Sequence, residues 1–560
     1  MARKKRKKYP RWVYLAWGGF NAGCVLGLLD ALLIMTFGLA NFDRTGPIVG
    51  LIILDAVGMG IIGTLCVLIG FKVTGFLGKV TPKIKSLVSG LLLISVYLLL
   101  AYLNIGWVFK IPKEEAPVSK RNILLISLDT LRSDMTGFGG NCYVRTPLLD
   151  SLASKGWQFC NAVCPVPMTT PSHASILTGT IPAVHGAKEN RYRLNRTNQT
   201  MTEIFRQNGY MTAAFVSCFP LDRRFGLDQG FILYNDIFSS VGDLRQASWM
   251  QCLLRIKNRN LRERPARHTN SLVLPWIKKY GKLMPFFLWI HYFDPHAPYT
   301  PPKHEIEYYQ NTPVKTYNYN DDYDYEKARA AVDQEIELTK GLPERLYLGE
   351  VSTVDKAVYD VVIACMKADV LSNTDIIIVA DHGESFGEHG LFYTHGEDVY
   401  EPALSVPLVF WGDDFAKSTI DDRLASLIDI PSTLLPAISL PLGSEMMGVN
   451  LKDLNTERKI ALVENFGIIL ALHAKKQRAV RTPDTKFIAY PGENTRELYD
   501  LIRDPNESNN IISSDIPTGQ YLEDIVENGF KHAEMIAKQA DIDESAETRE
   551  KLKSLGYIVN

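Results

Sequence analysis

Three apolar runs, over residues 12–40, 47–71 and 87–109, decide where most of this chain can sit. Each exceeds the ~20 residues that cross a bilayer as a helix. The first is too long for a signal-peptide core and has no small-residue cleavage pattern behind it, so a retained anchor is expected. Orientation follows the basic residues. Met-Ala-Arg-Lys-Lys-Arg-Lys-Lys opens the chain, and Lys72, Lys79, Lys83 and Lys85 lie between the second and third runs. Both segments belong in the cytoplasm, while residues 41–46, with only Arg44 as a cation, belong outside. Three crossings from an inside start leave everything after Lys110 outside. The expected localisation is therefore an integral membrane protein with a cytoplasmic N-terminus and an extracytoplasmic main domain. The charge is split accordingly. Residues 1–120 hold 15 Lys and Arg against 5 Asp and Glu, although the whole chain is at −1, so the outer part is acidic. No nucleic-acid partner is expected of such a surface.

Asp30 and Asp55 lie inside the first two runs. Carboxylates there are costly, and two roles stay open: holding the helices together, or gripping a lipid headgroup. Six cysteines fall outside the membrane (Cys142, Cys160, Cys164, Cys218, Cys252 and Cys365). An oxidising compartment permits disulfides between them without showing which. Sequons at Asn195, Asn198 and Asn506 matter only in a host that glycosylates them.

The membrane part is expected over 1–111 and a short linker over 112–121. Residues 122–129 then form an unbroken apolar run that closes on Asp129. Such a run suits a strand buried on both faces, with ligands at its carboxyl end. The pattern returns at 211–217, 285–291 and 375–381, with helical stretches between, for example 354–371. The expectation is an α/β domain over 122–454, its sheet covered by helices on both faces, and its site at the strand ends. From 455 to 560 shorter strand-like pieces and a last helix suggest a small α+β subdomain. The tyrosine-rich stretch 317–325 reads as a solvated loop or as a lid over the site.

Four segments carry chemistry. They are Leu128-Asp129-Thr130-Leu131-Arg132-Ser133-Asp134; Thr169-Thr170-Pro171-Ser172-His173 with Pro182-Ala183-Val184-His185-Gly186; His291-Tyr292-Phe293-Asp294-Pro295-His296; and Asp381-His382-Gly383-Glu384, continuing to Thr394-His395. Asp129, Asp381 and His382 offer oxygen and imidazole donors suited to one divalent cation, Mn²⁺, Zn²⁺, Mg²⁺ or Ca²⁺. A hydroxyl beside that ion would be acidified, and Thr169 is the candidate nucleophile and further ligand. His173, His296 and His395 could donate to a tetrahedral anion or protonate its leaving group. His185 reads as structural and His389 as a loop histidine. Arg132 and Asp134 would fix the loop after the first strand, and the basic stretch 255–267 reads as a solvated face.

In this order the segments resemble the type I sulfatase-like branch of the alkaline phosphatase superfamily, from Asn122 to the carboxyl terminus. Tyr347-Leu-Gly-Glu350 and the closing Leu555-Gly-Tyr557 also fit. The resemblance implies an alkaline-phosphatase/sulfatase-like fold and a metal-dependent hydrolase of sulfate or phosphate esters. The family's nucleophile motif falls on Thr169-Thr170-Pro171-Ser172-His173. Its Cys or Ser, the precursor of formylglycine, is Thr169, and its Arg is His173. The usual Asp-Asp is Asp129-Thr130, the Asp-Asn is Asp381-His382, and the later Lys is His395. A Thr nucleophile with Asp and His ligands also resembles the membrane-anchored phosphoethanolamine and glycerol-phosphate transferases, where two further His, here His296 and His395, grip the phosphate. Asn190 resembles an anion-contacting Asn of phosphonate monoester hydrolases.

Three functions follow: a hydrolase of sulfate or phosphate esters, a transferase modifying lipid or envelope glycan, and a silent membrane-tethered binding module. Release of free sulfate or phosphate without an acceptor marks the first. A tether favours a membrane lipid or a cell-envelope glycan as partner.

Overall fold

The computed structural model describes residues 120–236, 238, 263–316, 318, 322–332, 337–467 and 475–554. The three apolar runs, Asp30, Asp55, Cys252 and the Leu555-Gly-Tyr557 end lie outside the described residues. Among the described residues, no helix is long and apolar enough to cross a membrane.

The continuous apolar runs do become strands. β1 (Asn122–Leu128), β2 (Trp157–Val163), β3 (Met211–Phe215), β4 (Leu233–Asn235), β5 (Phe286–Tyr292), β6 (Thr374–Ala380), β7 (Leu408–Trp411) and β8 (Thr419–Ser426) form one sheet. Its order is β8-β2-β7-β6-β1-β5-β3-β4. Every residue of β1, β3, β5 and β6 is buried, as expected of strands covered on both faces. Each large apolar side chain so enclosed contributes roughly 1.5–3 kcal/mol. The sheet is mixed: β7 runs antiparallel to both β2 and β6, while the other pairings are parallel.

The register brings the ends of the central strands level. Ser127 lies opposite His291 on β5 and Val379 on β6. The residues just beyond, Asp129 and Asp381, therefore emerge side by side.

The helix expected over 354–371 spans Leu342–Lys367 instead. Gly341 is the left-handed N-cap and Pro343 sits in the first turn, where proline's missing N–H costs nothing. The early start matters, because it places Tyr347 and Glu350 on a buried face. Part of the tyrosine-rich stretch is also helical, over Asp322–Ala330. Arg264, expected on a solvated face, is 1% exposed. Its guanidinium donates to Asn235 Oδ1 and to the Val216 carbonyl, each at 2.6 Å, which satisfies a buried cation from within. Cys142, Cys160, Cys164, Cys218 and Cys365 are free thiols.

Beyond the main sheet, Ala461–Asn465, Gln477–Arg481, Thr485–Ala489 and Arg496–Asp500 form a four-stranded antiparallel sheet. Leu522, Val526 and Phe530 of the helix Ile516–Met535 pack against Val480, Phe487 and Leu498 from it.

Glu464 on the first of these strands is buried, and burial pushes its carboxyl from 4.5 to about 7. The folded protein holds that proton to higher pH than the unfolded chain does. Stability from this group is thus present below pH 4.5 and lost as the pH rises to about 7. Glu464→Gln is expected to stabilise the protein at alkaline pH by up to about 3 kcal/mol and to change little in acid. Thermal melts on both sides of that window would show it; equal effects on both sides would contradict it.

Candidate active site

The helix Thr169–Thr178 is buried throughout and begins at Thr169. Met168 precedes it in extended conformation without a side-chain cap. The cap comes from a distance: Asn190 Oδ1 accepts from Thr170 N at 2.8 Å. Thr170 N–H is thus capped, Pro171 has none and Ser172 N–H donates to the Met168 carbonyl (3.0 Å), so this terminus offers the positive end of the helix dipole to whatever lies beside Thr169.

Across from it stand the strand ends. Thr169 Oγ1 is 3.4 Å from His382 Nε2, which lies 3.5 Å from Asp381 Oδ2 and 3.8 Å from Asp129 Oδ1. His382 Nδ1 donates to the Gly383 carbonyl at 2.9 Å, so Nε2 carries the lone pair. Asp381 Oδ1 accepts from the backbone N–H of His382 (2.9 Å) and Thr130 (3.3 Å). Asp129 Oδ1 and Asp381 Oδ2 have no hydrogen-bond partner among the described residues, although both are fully buried. Burial raises the Asp129 carboxyl to about 7 and also raises Asp381 and Glu384. Three enclosed carboxyl groups, two with a bare oxygen, beside one imidazole lone pair are the donor set a divalent cation requires. The donor atoms of Asp129, Asp381 and His382 lie within 4.8 Å of one another. The residues fit the ion.

Thr130 adopts a left-handed backbone (φ 53°), which is strained for a β-branched residue. Tyr347 Oη donates to its carbonyl (2.8 Å) and accepts from Arg132 N (3.1 Å), pinning the turn that aims Asp129. Arg132 binds Asp134 (2.8 Å), Glu388 (2.9 Å) and the Glu384 carbonyl (3.1 Å), and so ties this turn to the Asp381 loop.

His296 and His395 meet on the far side, with ring centroids 4.9 Å apart and His395 4.4 Å from His382. Desolvation holds both imidazoles well below their usual range, His296 at about 3. Glu384 links the two loops. Its Oε1 is 3.3 Å from His395 Nδ1, and its Oε2 accepts from Tyr299 Oη. The helix Asp322–Ala330 spans the same loops. Lys327 Nζ lies 3.0 Å from Glu397 and 3.4 Å from Thr394, while the Ala331 carbonyl accepts from Tyr299 N at 2.8 Å.

His173, expected to face the substrate, lies behind the carboxylates. Its Nδ1 donates to the Thr169 carbonyl (2.8 Å), while Nε2 accepts from Ser127 Oγ (3.0 Å), which accepts from Trp289 Nε1 (2.9 Å). With both nitrogens used inward, it orients the start of the helix. Asn190 keeps its buried Nδ2 without a hydrogen-bond partner among the described residues. His185 bonds Ser175 Oγ and Ala187 N, and His389 stacks on Tyr400 at 3.6 Å. Sequence reasoning placed Glu384 and Tyr347 within motifs but gave them, and Tyr299, no role, because their parts depend on contacts between distant segments. Glu384, two residues after His382, was the legible one.

Tyr347→Phe, which removes both hydrogen bonds from the Thr130 turn, is expected to weaken divalent-cation affinity about 10-fold with the fold retained. Titration with Mn²⁺ alongside circular dichroism would measure this, and unchanged affinity would refute it.

Residues 121–440 match the family model described as Sulfatase, and residues 387–528 match N-sulphoglucosamine sulphohydrolase, C-terminal. An arylsulfatase of Clostridium perfringens is 26% identical over 441 residues, covering 71% of this chain and 91% of the relative. Arylsulfatase K of Homo sapiens is 24% identical over 439 residues, covering 70% of this chain and 78% of its own. The phosphonate monoester hydrolase of Agrobacterium radiobacter shares the fold at a TM-score of 0.59 and 18% identity, over 74% of this chain and 96% of that one. A structure solved in complex with its substrate D-glucosamine-2-N,6-O-disulfate shares it at 0.60 and 20% identity, over 76% and 100%. This chain belongs to the sulfatase family and is an ester-hydrolysing enzyme.

Proposed function

We propose that the protein hydrolyses sulfate esters by covalent catalysis at Thr169, with a sulfated glycan as the substrate class and phosphate or phosphonate esters as lesser substrates. One observation carries the reading: the Thr169 hydroxyl stands at a helix N-terminus, 3.4 Å from the His382 lone-pair nitrogen, beside two enclosed carboxylates. A divalent cation held by Asp129, Asp381 and His382 would supply the positive charge that acidifies this hydroxyl and offsets charge on the ester oxygens.

The chain's own groups do the rest. Thr169 Oγ1 forms a bond to sulfur while the ester's bridging S–O bond breaks, and its electron pair leaves with the alcohol oxygen. The proton given up by Thr169 ends on that oxygen, carried by His395 or His296. Water then attacks the sulfur, freeing sulfate and restoring the hydroxyl. Desolvation lowers the His296 and His395 imidazoles and so favours their neutral forms. Their ring N–H groups hydrogen-bond the sulfuryl oxygens, and the arriving anion favours their protonation. Asn190 Nδ2, buried and without a hydrogen-bond partner among the described residues, is a further donor near the helix start.

The glycan reading is supported by the relative solved with a sulfated glucosamine. The hydrolases among the relatives support water as acceptor, and the transferase expectation draws no support from them. The apolar runs and the basic N-terminus support an enzyme tethered in the membrane with its active domain outside the cytoplasm.

Full-length protein should release sulfate from aryl sulfates and sulfated glucosamines when given a divalent cation. Thr169→Ala should lose roughly 10³-fold or more of that turnover, and Thr169→Ser should keep a measurable part. Turnover surviving Thr169→Ala would sink the covalent route.

A further inference from the structure

The central strands present more donor atoms than one cation site uses. The two oxygens of Asp129 face opposite ways. Oδ1 looks toward His382 Nε2 at 3.8 Å, whereas Oδ2 lies 3.3 Å from His291 Nε2 and 3.8 Å from Cys218 Sγ. His291 is the penultimate residue of β5, and Cys218 follows β3, the next strand along the sheet. Asp129, His291 and Cys218 are all fully buried, and their donor atoms lie within 4.8 Å of one another.

The His291 ring is set for ligation. Ser217 Oγ donates to the His291 carbonyl (2.7 Å) and takes the Nδ1 proton (2.8 Å), which leaves Nε2 as a lone pair. That nitrogen has no hydrogen-bond partner among the described residues. The Cys218 thiol donates to Asp129 Oδ2 (3.8 Å), and a cation that displaces this proton would be shared by the sulfur, the carboxylate oxygen and the imidazole lone pair at one enclosed point. The mixture of nitrogen, oxygen and sulfur donors suits a thiophilic ion, unlike the carboxylate-rich donor set beside Thr169.

We propose that Asp129 Oδ2, His291 Nε2 and Cys218 Sγ form a second cation pocket, for Zn²⁺ or an ion like it, bridged to the first through the Asp129 carboxylate. The ion displaces the Cys218 thiol proton to solvent, so uptake releases one proton and the sulfur binds as thiolate. Because Asp129 is shared, the pocket rests on the reading of Asp129, Asp381 and His382 as the catalytic cation site.

The test is elemental analysis of full-length protein in detergent, equilibrated with Zn²⁺, together with near-ultraviolet spectra after exchange for Co²⁺. Wild type should hold about two equivalents of Zn²⁺ and, with Co²⁺, show a thiolate-to-cobalt charge-transfer band. Cys218→Ser should drop to about one equivalent and lose the band. His291→Asn should also fall to about one. Cys218→Ala, which puts no hydroxyl into the buried position, should match Cys218→Ser, and circular dichroism of each variant should show the wild-type fold. Thr169→Ala leaves Asp129, His291 and Cys218 in place and should keep the band, so failure of the covalent mechanism is read separately. One equivalent and no thiolate band in wild type would overturn the pocket, as would a band surviving Cys218→Ser.

Discussion

Much of the site follows from two carboxylates placed without water at the ends of adjacent strands. Asp129 and Asp381 emerge from β1 and β6 in register, each fully buried. Desolvation is the largest influence on both, and two such charges a few ångströms apart cannot persist unopposed. The surroundings answer that demand in part. Backbone N–H groups serve one oxygen of Asp381, whereas the lone pair that His382 turns toward both carboxylates adds to the negative charge. The remaining demand is for a cation. Thr169, His296 and His395 are arranged around the place where that charge would lie, and so the chemistry follows from an electrostatic debt at the sheet edge.

How much of this could be read beforehand depends on the range of the interactions involved. The strands were legible because burial on both faces leaves an uninterrupted apolar run, and a polar residue closing it marks the edge. Thr169 was legible because Pro171 marks a first helical turn. The start of the helix Leu342–Lys367 was not, since glycine and proline punctuate turns and helix beginnings alike. His291 was taken as one member of a histidine-rich segment. Only the parallel pairing of β5 with β1 sets it beside Asp129, and no local pattern encodes that pairing. Arg264 misled for a similar reason, because its neighbours in sequence are basic while its neighbours in space are Asn235 and the Val216 carbonyl. His173 shows the limit of reasoning by position within a motif. The motif set it one helical turn after Thr169, but the Ser127–Trp289 chain behind it decides which way the ring faces.

The reversed strand β7 has a further consequence. Thr169 is delivered by β2, whose carboxyl end points to the same edge as β1 and β6, but β7 stands between them. Two inter-strand steps therefore separate the chain that carries the hydroxyl from the chain that carries Asp381, about 10 Å at the usual spacing. The connection from Cys164 to Met168 has to cover that gap, held at its start where Cys164 N donates to the Leu404 carbonyl. Backbone ladders thus act as a ruler between nucleophile and carboxylate. Side chains around the substrate can change without disturbing it, whereas one residue inserted into this short crossing would draw the hydroxyl out of reach while leaving every strand in place.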